Sequence, residues 1–380
     1  MSSTTTTFDD PLSQRYHGKH ILAPMVRVGT LPMRMLALKY GADLVYTPEI
    51  IDKRIVKAQR RVNPTTGIIE YVNDNDTVDL QIHPREKPYV IFQVGTSDPD
   101  LALEAALKVA SDVSGIDVNC GCPKKFSIQG GMGAALLTDP ERLEAILKKL
   151  VDHSGLPVTC KIRLLDNDAD TLALVQRIEK TGVKALAVHC RTRNERPRDR
   201  GHWDKLKMVA EAVRTIPVIA NGDVFTYDHL LRVKEECGVS SAMVARGAME
   251  NPSMFSKDGL VDAKIVAQEY ISLAVLVNNR FQNTKYTLMQ MYNNTKSTAY
   301  QNLTRAKNHD GIMKAFGLKE MLKITVPKLE IEPNTSALSS STIEDESKEN
   351  YLDPSTASCK SSVPDVESNE PASKRVKLNA

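Results

Sequence analysis

The chain has 380 residues, 41% of them hydrophobic and 26% charged, a composition that allows a large folded core. It contains no apolar run of the roughly 20 residues that a membrane span needs, and its Ser/Thr-rich start does not look like a signal peptide. We therefore expect no membrane association, and we expect the six cysteines to be thiols in a reducing compartment. Residues 326–380 hold ten acidic and six basic residues, which leaves 44 basic and 37 acidic residues, or +7, on residues 1–325. That charge permits a nucleic-acid partner but does not establish one.

Short apolar runs rich in Val and Ile alternate with stretches of helical periodicity between residues 18 and 256. Such runs are typical of parallel strands that are buried on both faces. Eight strands alternating with helices predict an α/β protein with a (β/α)8 TIM barrel. A doubly wound sheet is the alternative, but the turn over residues 24–30 has no GxGxxG pattern. The predicted strands are residues 20–25, 44–49, 89–95, 115–122, 157–164, 185–191, 217–222 and 241–246.

Four segments depart from this alternation. Residues 1–17 predict a flexible leader, and the polar residues 52–87 predict a loop or hairpin inserted into the barrel. Residues 257–325 keep a helical pattern, which indicates a small helical domain after the barrel. Residues 326–380 are rich in Pro, Ser, Thr and acidic residues, and they predict a disordered tail.

Polar residues stand where the predicted strands end, which is where barrel enzymes place their active sites. A barrel that served only as a scaffold would not need this pattern, so it indicates an enzyme. The residues concerned are Gln93, Asn119, Cys122, Lys161, Arg163, His189, Arg191, Asn221, Gly222 and Arg246.

The last two strand ends suggest a phosphate site. Asn221-Gly222-Asp223 follows the seventh predicted strand, and Ala245-Arg246-Gly247 follows the eighth. Barrels often bind phosphate with backbone N–H groups of these two loops, and an arginine adds a charge-assisted contact. Ordinary tight turns are the alternative for each loop alone; the pair together favours phosphate.

The segment Cys120-Gly121-Cys122-Pro123 allows three interpretations. A metal site would need further ligands, and no paired Cys or His cluster supplies them, so we expect no metal. A buried structural thiol suits Cys120, and a catalytic thiol at a strand end suits Cys122. His189 could be a buried core histidine, but its place at a strand end beside Arg191 favours contact with a ligand.

Six motifs in order make the chain resemble the tRNA-dihydrouridine synthase family over about residues 18–325. They are Leu22-Ala23-Pro24-Met25, residues 117–123 (DVNCGCP), Lys161-Ile162-Arg163, Val188-His189-Cys190-Arg191, Asn221-Gly222-Asp223 and residues 245–249 (ARGAM). Residues 23–34, 115–137 and 283–286 resemble the eukaryotic branch that acts on uridine 20 of the D-loop. Vertebrate members of that branch add a double-stranded-RNA-binding domain, whereas this chain has only the polar tail there, so it is similar to the fungal type.

The resemblance implies a barrel that binds FMN and uses NADPH, or less favourably NADH, to reduce a uracil in tRNA. Pro24, Met25, Gln93, Lys161 and His189 would contact the flavin, and Cys122 would be the general acid. Asn221, Gly222, Asp223, Ala245, Arg246 and Gly247 would lie at the FMN phosphate. Asn119 would contact the uracil. Cys120 departs from the family, whose members often carry Met or Ala there, and this puts a second thiol near the site.

A base inside folded tRNA must leave its stack to reach such a pocket, and the rest of the tRNA would be bound through phosphates and shape. The predicted RNA contacts are Arg163, Arg191, Arg193, Arg196 and Arg198 in the barrel and Lys285 in the helical domain, with Lys53, Arg54, Lys57, Arg60, Arg61 and Arg200 as further candidates. For any one of them, a solvated surface charge is the alternative.

Two other functions stay open from the sequence. One is an FMN barrel dehydrogenase acting on a small pyrimidine, which the basic helical segment and the arginine-rich loop argue against. The other is a catalytically inactive RNA-binding barrel, which Cys122, Lys161 and His189 argue against. We expect a monomer.

The end of the tail, residues 371–378, carries a short basic cluster that resembles a monopartite nuclear import signal. We therefore expect an import receptor as a partner and a protein found in nucleus and cytoplasm. A solubilising cluster or a weak RNA contact is the alternative.

Deletion of residues 373–380 should shift a tagged protein from nucleus to cytoplasm without changing its activity in vitro, because only the signal is lost. Microscopy of the tagged chain checks this. A truncated protein that stays nuclear would rule out the import signal.

Overall fold

The barrel is built from eight strands. The structure, a computed structural model, describes residues 8–318. The strands are β1 (His20–Leu22), β2 (Leu44–Tyr46), β3 (Val90–Gly95), β4 (Gly115–Cys120), β5 (Val158–Leu164), β6 (Ala185–Thr192), β7 (Val218–Asn221) and β8 (Ser241–Val244).

All eight strands are parallel, and the sheet closes on itself. Each strand pairs with its neighbour in the sequence, β8 pairs with β1, and the pairing of β2 with β3 completes the ring. A short strand, Ile50–Ile51, adds to the sheet by pairing in parallel with the end of β3. This closed parallel barrel confirms the predicted fold class.

Helices lie between the strands and begin with the signals that the sequence carries. Asp98 caps the helix Pro99–Val109 by accepting hydrogen bonds from two backbone N–H groups, and Asp139 caps Pro140–His153 by accepting one, from Arg142. The other helices of the barrel are Pro11–Gln14, Leu31–Lys39, Lys125–Gln129, Asp168–Glu179, Trp203–Ala212, Tyr227–Cys237 and Arg246–Glu250, with 3-10 turns at Gly133–Thr138 and Pro252–Phe255.

A small sheet occupies the stretch that was predicted as an inserted loop or hairpin. After the helix Asp52–Lys57, three antiparallel strands follow, Gln59–Val62, Ile69–Val72 and Val78–Ile82, with a 3-10 turn at Pro84–Glu86. We call this the insertion sheet. Val78–Ile82 pairs only with Ile69–Val72, so its other edge is not covered by a strand.

A buried ion pair fastens the insertion to the barrel. Arg34, on the helix Leu31–Lys39, donates from Nε and Nη2 to Glu86 at 2.9 and 2.7 Å, and both side chains are at most 1% exposed. Its remaining donors bind the carbonyls of Gly29 at 2.8 Å and Gln81 at 2.6 Å. This bidentate pair therefore has its hydrogen bonds satisfied, which burial of a charge requires.

Within residues 8–318, four helices follow the barrel and belong to the same compact unit. They are Ala263–Leu276, Phe281–Met291, Thr298–Arg305 and His309–Ala315. Tyr40 donates to Glu269 at 2.8 Å, and Gln81 of the insertion sheet donates to the carbonyl of Val277 at 2.8 Å. None of the described helices is long and apolar enough to cross a membrane. The predicted tail, residues 326–380, lies outside the described residues.

Loss of one partner of the buried ion pair should weaken the fold. Glu86→Gln leaves the Arg34 guanidinium buried without its counter-charge, which typically costs about 3–5 kcal/mol of unfolding free energy. Chemical denaturation checks this, with Glu236→Gln as the matched control because Glu236 pairs with Arg232 on an exposed helix face. Equal unfolding midpoints for the two variants would contradict the role of the pair.

Candidate active site at the mouth of the barrel

The inward-facing side chains of the barrel form an apolar lower layer and a polar upper layer. Successive residues of a strand point to opposite faces, so every second position points inward. The lower layer contains Ile21, Leu44, Ile91, Ala185, Ile219 and Met243, all buried. The inward positions nearer the carboxyl ends carry Gln93, Asn119, Lys161, His189 and Asn221. The structure thus brings together at one mouth the residues predicted from the separate strand ends.

Asp117 lies between these layers and is fully buried. Its carboxylate accepts hydrogen bonds from Thr159 Oγ1 and from Gln93 Nε2, both at 2.7 Å. Burial raises the pKa of Asp117 to about 6, and the two hydrogen bonds oppose that rise. Asp117 is therefore mostly ionised at neutral pH. It was not among the predicted site residues.

An ionised carboxylate can only accept hydrogen bonds, so it decides how the amides above it are turned. Gln93 must point its NH2 group at Asp117 and its oxygen away. Asn119 Nδ2 donates to that Gln93 oxygen at 3.0 Å, which leaves Asn119 Oδ1 as an acceptor. The hydrogen-bond directions thus run from Asn119 to Gln93 to Asp117.

The loop that carries Cys122 is fixed by this same asparagine. Asn119 Oδ1 accepts from the backbone N–H groups of Gly121 at 3.1 Å and Cys122 at 3.0 Å. Arg163 Nε donates to the carbonyl of Gly121 at 2.9 Å. Gly133 lies close behind with φ of 58°, and a Cβ there would come within 2.7 Å of the Cys122 carbonyl oxygen. Only glycine fits that position.

Glu49 stands beside the Cys122 thiol, in the loop after β2. A Cβ added at Gly95 would lie 2.7 Å from Glu49 Oε1, so the carboxylate packs against the end of β3. Burial raises the pKa of Cys122, and the negative charge of Glu49 raises it further. Burial also raises the pKa of Glu49, whereas hydrogen bonding with Cys122 lowers it. The thiol is thereby kept protonated at neutral pH.

The sequence-based prediction missed Glu49, although it is the last residue of the predicted strand 44–49. Glu49 could have been found by the rule that selected the other residues, because it is a polar side chain at the carboxyl end of a barrel strand.

Four cations surround His189: Lys161, Arg163, Arg191 and Arg246. Burial lowers the pKa of His189 strongly, and these four charges lower it further, so the imidazole is neutral. Burial and then Arg163 lower the pKa of Lys161 to about 8. Among the described residues, no hydrogen bond or ion pair to the Lys161 ammonium is found, which leaves a positive group at the barrel mouth ready to bind an anion.

Asp223 holds two of these cations. Its Oδ1 accepts from Arg191 at 2.5 Å and from Arg246 at 2.6 Å, and its Oδ2 accepts from the Gly201 N–H at 2.7 Å. Burial would raise the pKa of Asp223, but the hydrogen bonds from Arg191 and Gly201 lower it. Arg191 is 2% exposed and also donates to the carbonyl of Asp199 at 2.7 Å. Arg191 therefore anchors the loop over residues 192–202 from beneath.

The predicted phosphate loops lie at this side of the mouth. Gly222 has φ of 121°, and a Cβ there would lie 2.4 Å from Cys190 Sγ, so the loop requires glycine. Asn221 is buried and donates to the carbonyl of Met243 at 2.8 Å, which ties the ends of β7 and β8 together. Ala245 and Gly247 flank Arg246 at the start of the helix Arg246–Glu250. The backbone N–H groups of Gly222 and Asp223 meet no acceptor within residues 8–318.

Pro24 and Met25 follow β1 at the same mouth, both half-buried. The Gly29 N–H donates to the carbonyl of Met25 at 2.8 Å, which closes the turn.

The predicted RNA-binding residues include an exposed group and a residue that is bound within the fold. Arg193, Arg196 and Arg198 are exposed in the loop over residues 192–202. Lys285 instead donates to the carbonyls of Thr304 and Ala306, at 2.7 and 2.9 Å, where the helix Thr298–Arg305 ends. Its ammonium thus has a structural role in the helical region.

Cys122 is the accessible thiol of the described part of the chain. Cys120, Cys160, Cys190 and Cys237 are each 0% exposed, whereas Cys122 is half-buried. Residues 8–318 contain no cluster of three His, Cys, Asp or Glu side chains that could hold a metal ion.

Comparisons with known proteins agree on one family. The family profile of dihydrouridine synthase (Dus) matches residues 21–340. The chain is 44% identical over 316 residues to a tRNA-dihydrouridine(20) synthase of Schizosaccharomyces pombe, covering 80% of this chain and 66% of that relative. It is 38% identical to the Saccharomyces cerevisiae protein of that name, covering 80% of this chain and 84% of the relative. A human protein named tRNA-dihydrouridine(20a/20b) synthase-like is 35% identical over 65% of this chain and 74% of its own length.

Removal of the Glu49 charge should make Cys122 more reactive. Glu49→Gln takes away a negative charge that raises the thiol pKa, so more thiolate forms at a given pH. We expect iodoacetamide to alkylate Cys122 severalfold faster at about pH 8, as measured on its peptide by mass spectrometry. Glu104→Gln, an exposed carboxylate on the helix Pro99–Val109, is the matched control. An unchanged alkylation rate in Glu49→Gln would show that the carboxylate does not act on the thiol.

Proposed function

This chain belongs to the dihydrouridine synthase family, and from that premise we propose that it reduces the C5–C6 double bond of a D-loop uridine, uridine 20, in tRNA. The single observation that carries the proposal is the arrangement of Cys122. A protonated thiol stands at the mouth of the barrel, on a loop whose backbone is fixed by Asn119 and Arg163. The four cations around His189 lie at the same mouth.

The residues at the mouth fit FMN. The Lys161 ammonium lacks a partner in the described chain, His189 is a neutral ring, and the N–H groups of Gly222 and Asp223 are free to bind phosphate oxygens. The flavin ring would be held by Pro24, Met25, Gln93, Lys161 and His189. The phosphate would be held by Asn221, Gly222, Asp223, Ala245, Arg246 and Gly247, with Arg246 33% exposed and able to contact it.

FMN, when bound and reduced by NADPH or NADH, would supply the hydride that C6 of the uracil receives. The Cys122 thiol gives its proton to C5, so the ring gains one hydride and one proton and the thiol becomes a thiolate. The pKa of Cys122 is raised, which favours recovery of a proton from water after each turnover. Asn119 retains one amide N–H beyond its bond to Gln93, and we assign that donor to a uracil carbonyl.

The exposed arginines beside the mouth support RNA as the substrate. Arg193, Arg196 and Arg198 lie on the loop that Arg191 and Asp223 anchor, so their charges border the cation-lined pocket. They would bind phosphates around an extruded base, with an affinity that falls as salt is added.

We also propose that the protein enters the nucleus through an import receptor and is found in nucleus and cytoplasm. The support is the basic cluster in residues 371–378 of the sequence.

Replacement of Cys122 should separate flavin reduction by NADPH from reduction of the uracil. Cys122→Ala should fold, retain FMN and still be reduced by NADPH, yet lose at least about a hundredfold in dihydrouridine formation, because general acid catalysis typically contributes about 100- to 10,000-fold. Mapping dihydrouridine in tRNA from each reaction, alongside NADPH-dependent bleaching of the flavin, checks this.

The matched control is Cys120→Ala, since Cys120 is fully buried two residues away. Full activity in Cys122→Ala, or an equal loss in Cys120→Ala, would refute the role assigned to Cys122.

A further inference from the structure

A cavity of 470 Å³ lies between the insertion sheet, the first barrel loop and the helical region. It is separate from the cluster at His189, and its volume lies within the range of about 300–1,000 Å³ that is usual for small-molecule sites. Thr30 and Pro48 line it, and they stand in the loops after β1 and β2. Because those loops also carry Met25 and Glu49, the cavity borders the active site.

The cavity contains a buried acceptor without a partner. The side chain of Asp79 is 1% exposed; one oxygen pairs with Arg54, but Oδ2 has no hydrogen-bond partner in the described chain. Buried polar atoms are nearly always satisfied, so this oxygen indicates a ligand that offers an N–H donor.

The rest of the wall suits a nucleobase. Asn278 and Asn283 supply amides, Phe281 supplies an aromatic ring, and the uncovered edge of the strand Val78–Ile82 supplies backbone groups. Amides, backbone groups and aromatic rings are the groups with which proteins recognise unstacked RNA bases.

The charges on the wall argue against a ligand with several phosphates. Asp76 and Asp79 both line the cavity and are paired with Arg61 and Arg54, so these two arginines are not free to bind phosphates. Arg34 has its donors bound to Glu86, Gly29 and Gln81. Arg280 remains as one exposed cation at the rim, enough for a single backbone phosphate. A nicotinamide dinucleotide phosphate would bring more negative charge than this wall can neutralise.

We propose that this cavity binds a second base of the substrate RNA, one that carries an N–H donor, while the target uridine occupies the barrel mouth. This assignment rests on the proposed function, because it takes tRNA as the substrate. The cavity would let the enzyme recognise a nucleotide near the target uridine.

A thermodynamic cycle between protein and RNA tests the assignment. Thr77→Trp fills the cavity from its wall, and Asp79→Asn keeps the size of the side chain but replaces the free acceptor with a donor. Thr65→Trp, an exposed position in another turn of the insertion sheet, is the control. Dissociation constants are measured for unmodified tRNA and for tRNAs with one abasic nucleotide at each D-loop position except the target.

In the wild-type protein, we expect one abasic position to weaken binding by about tenfold, which corresponds to about 1.4 kcal/mol. Thr77→Trp and Asp79→Asn should weaken binding of intact tRNA by a similar factor. These two variants should then bind the abasic tRNA as tightly as they bind intact tRNA. Thr65→Trp should behave as the wild type.

Additive losses, or unchanged tRNA affinity in both cavity variants, would overturn the assignment. So would a raised KM for NADPH at unchanged tRNA affinity, which would identify a cofactor cavity instead. Because binding is measured without turnover, a wild-type protein that binds tRNA but forms no dihydrouridine would refute the proposed function alone. A wild-type protein that binds no tRNA would refute both.

Discussion

The buried carboxylate of Asp117 determines how the residues above it are oriented. It accepts from Thr159 and Gln93 and can donate nothing while ionised, so the amides of Gln93 and Asn119 each have one allowed direction. That direction presents Asn119 Oδ1 to the backbone of the Cys122 loop. The pKa of Asp117 is raised to about 6, so its ionisation costs stability above pH 6, and this cost disappears as the pH falls towards the ordinary value near 4. Ionised Asp117 therefore lowers the stability of the fold, but it fixes the orientation of the Cys122 loop.

The excess of positive charge at the barrel mouth is a second constraint. Four cations meet around His189, but Asp223 pairs with only two of them, Arg191 and Arg246. The excess positive charge can be balanced by an anionic ligand. Burial, and after it the charge of Arg163, lowers the pKa of Lys161 to about 8. Asp223 also binds the Gly201 N–H, so the same carboxylate positions the loop with the exposed arginines. The cation cluster at the mouth and the loop with the exposed arginines are therefore connected through one residue.

The sequence was sufficient for features that depend on local pattern. Apolar runs and helix caps predicted the barrel, and the strand-end rule selected Cys122, Lys161 and His189, which the structure brings to one mouth of it. Asp117 escaped because its partners, Gln93 and Thr159, lie on neighbouring strands and meet it only through sheet register. The insertion was predicted as a loop or hairpin because its first strand, Gln59–Val62, is exposed and mostly polar, so it lacks the alternation that indicates a strand. Burial of Arg191 could not be predicted either, since it depends on a loop that folds over it.

The most direct test of the account is flavin reoxidation by RNA in the absence of oxygen. The purified protein, reduced with one equivalent of NADPH, is mixed with unmodified tRNA and the flavin absorbance is followed. We expect the oxidised spectrum to return within one turnover and one dihydrouridine to form per flavin. A reduced flavin that tRNA leaves unchanged, but that a free pyrimidine reoxidises, would contradict the account and assign the barrel to a small-molecule substrate.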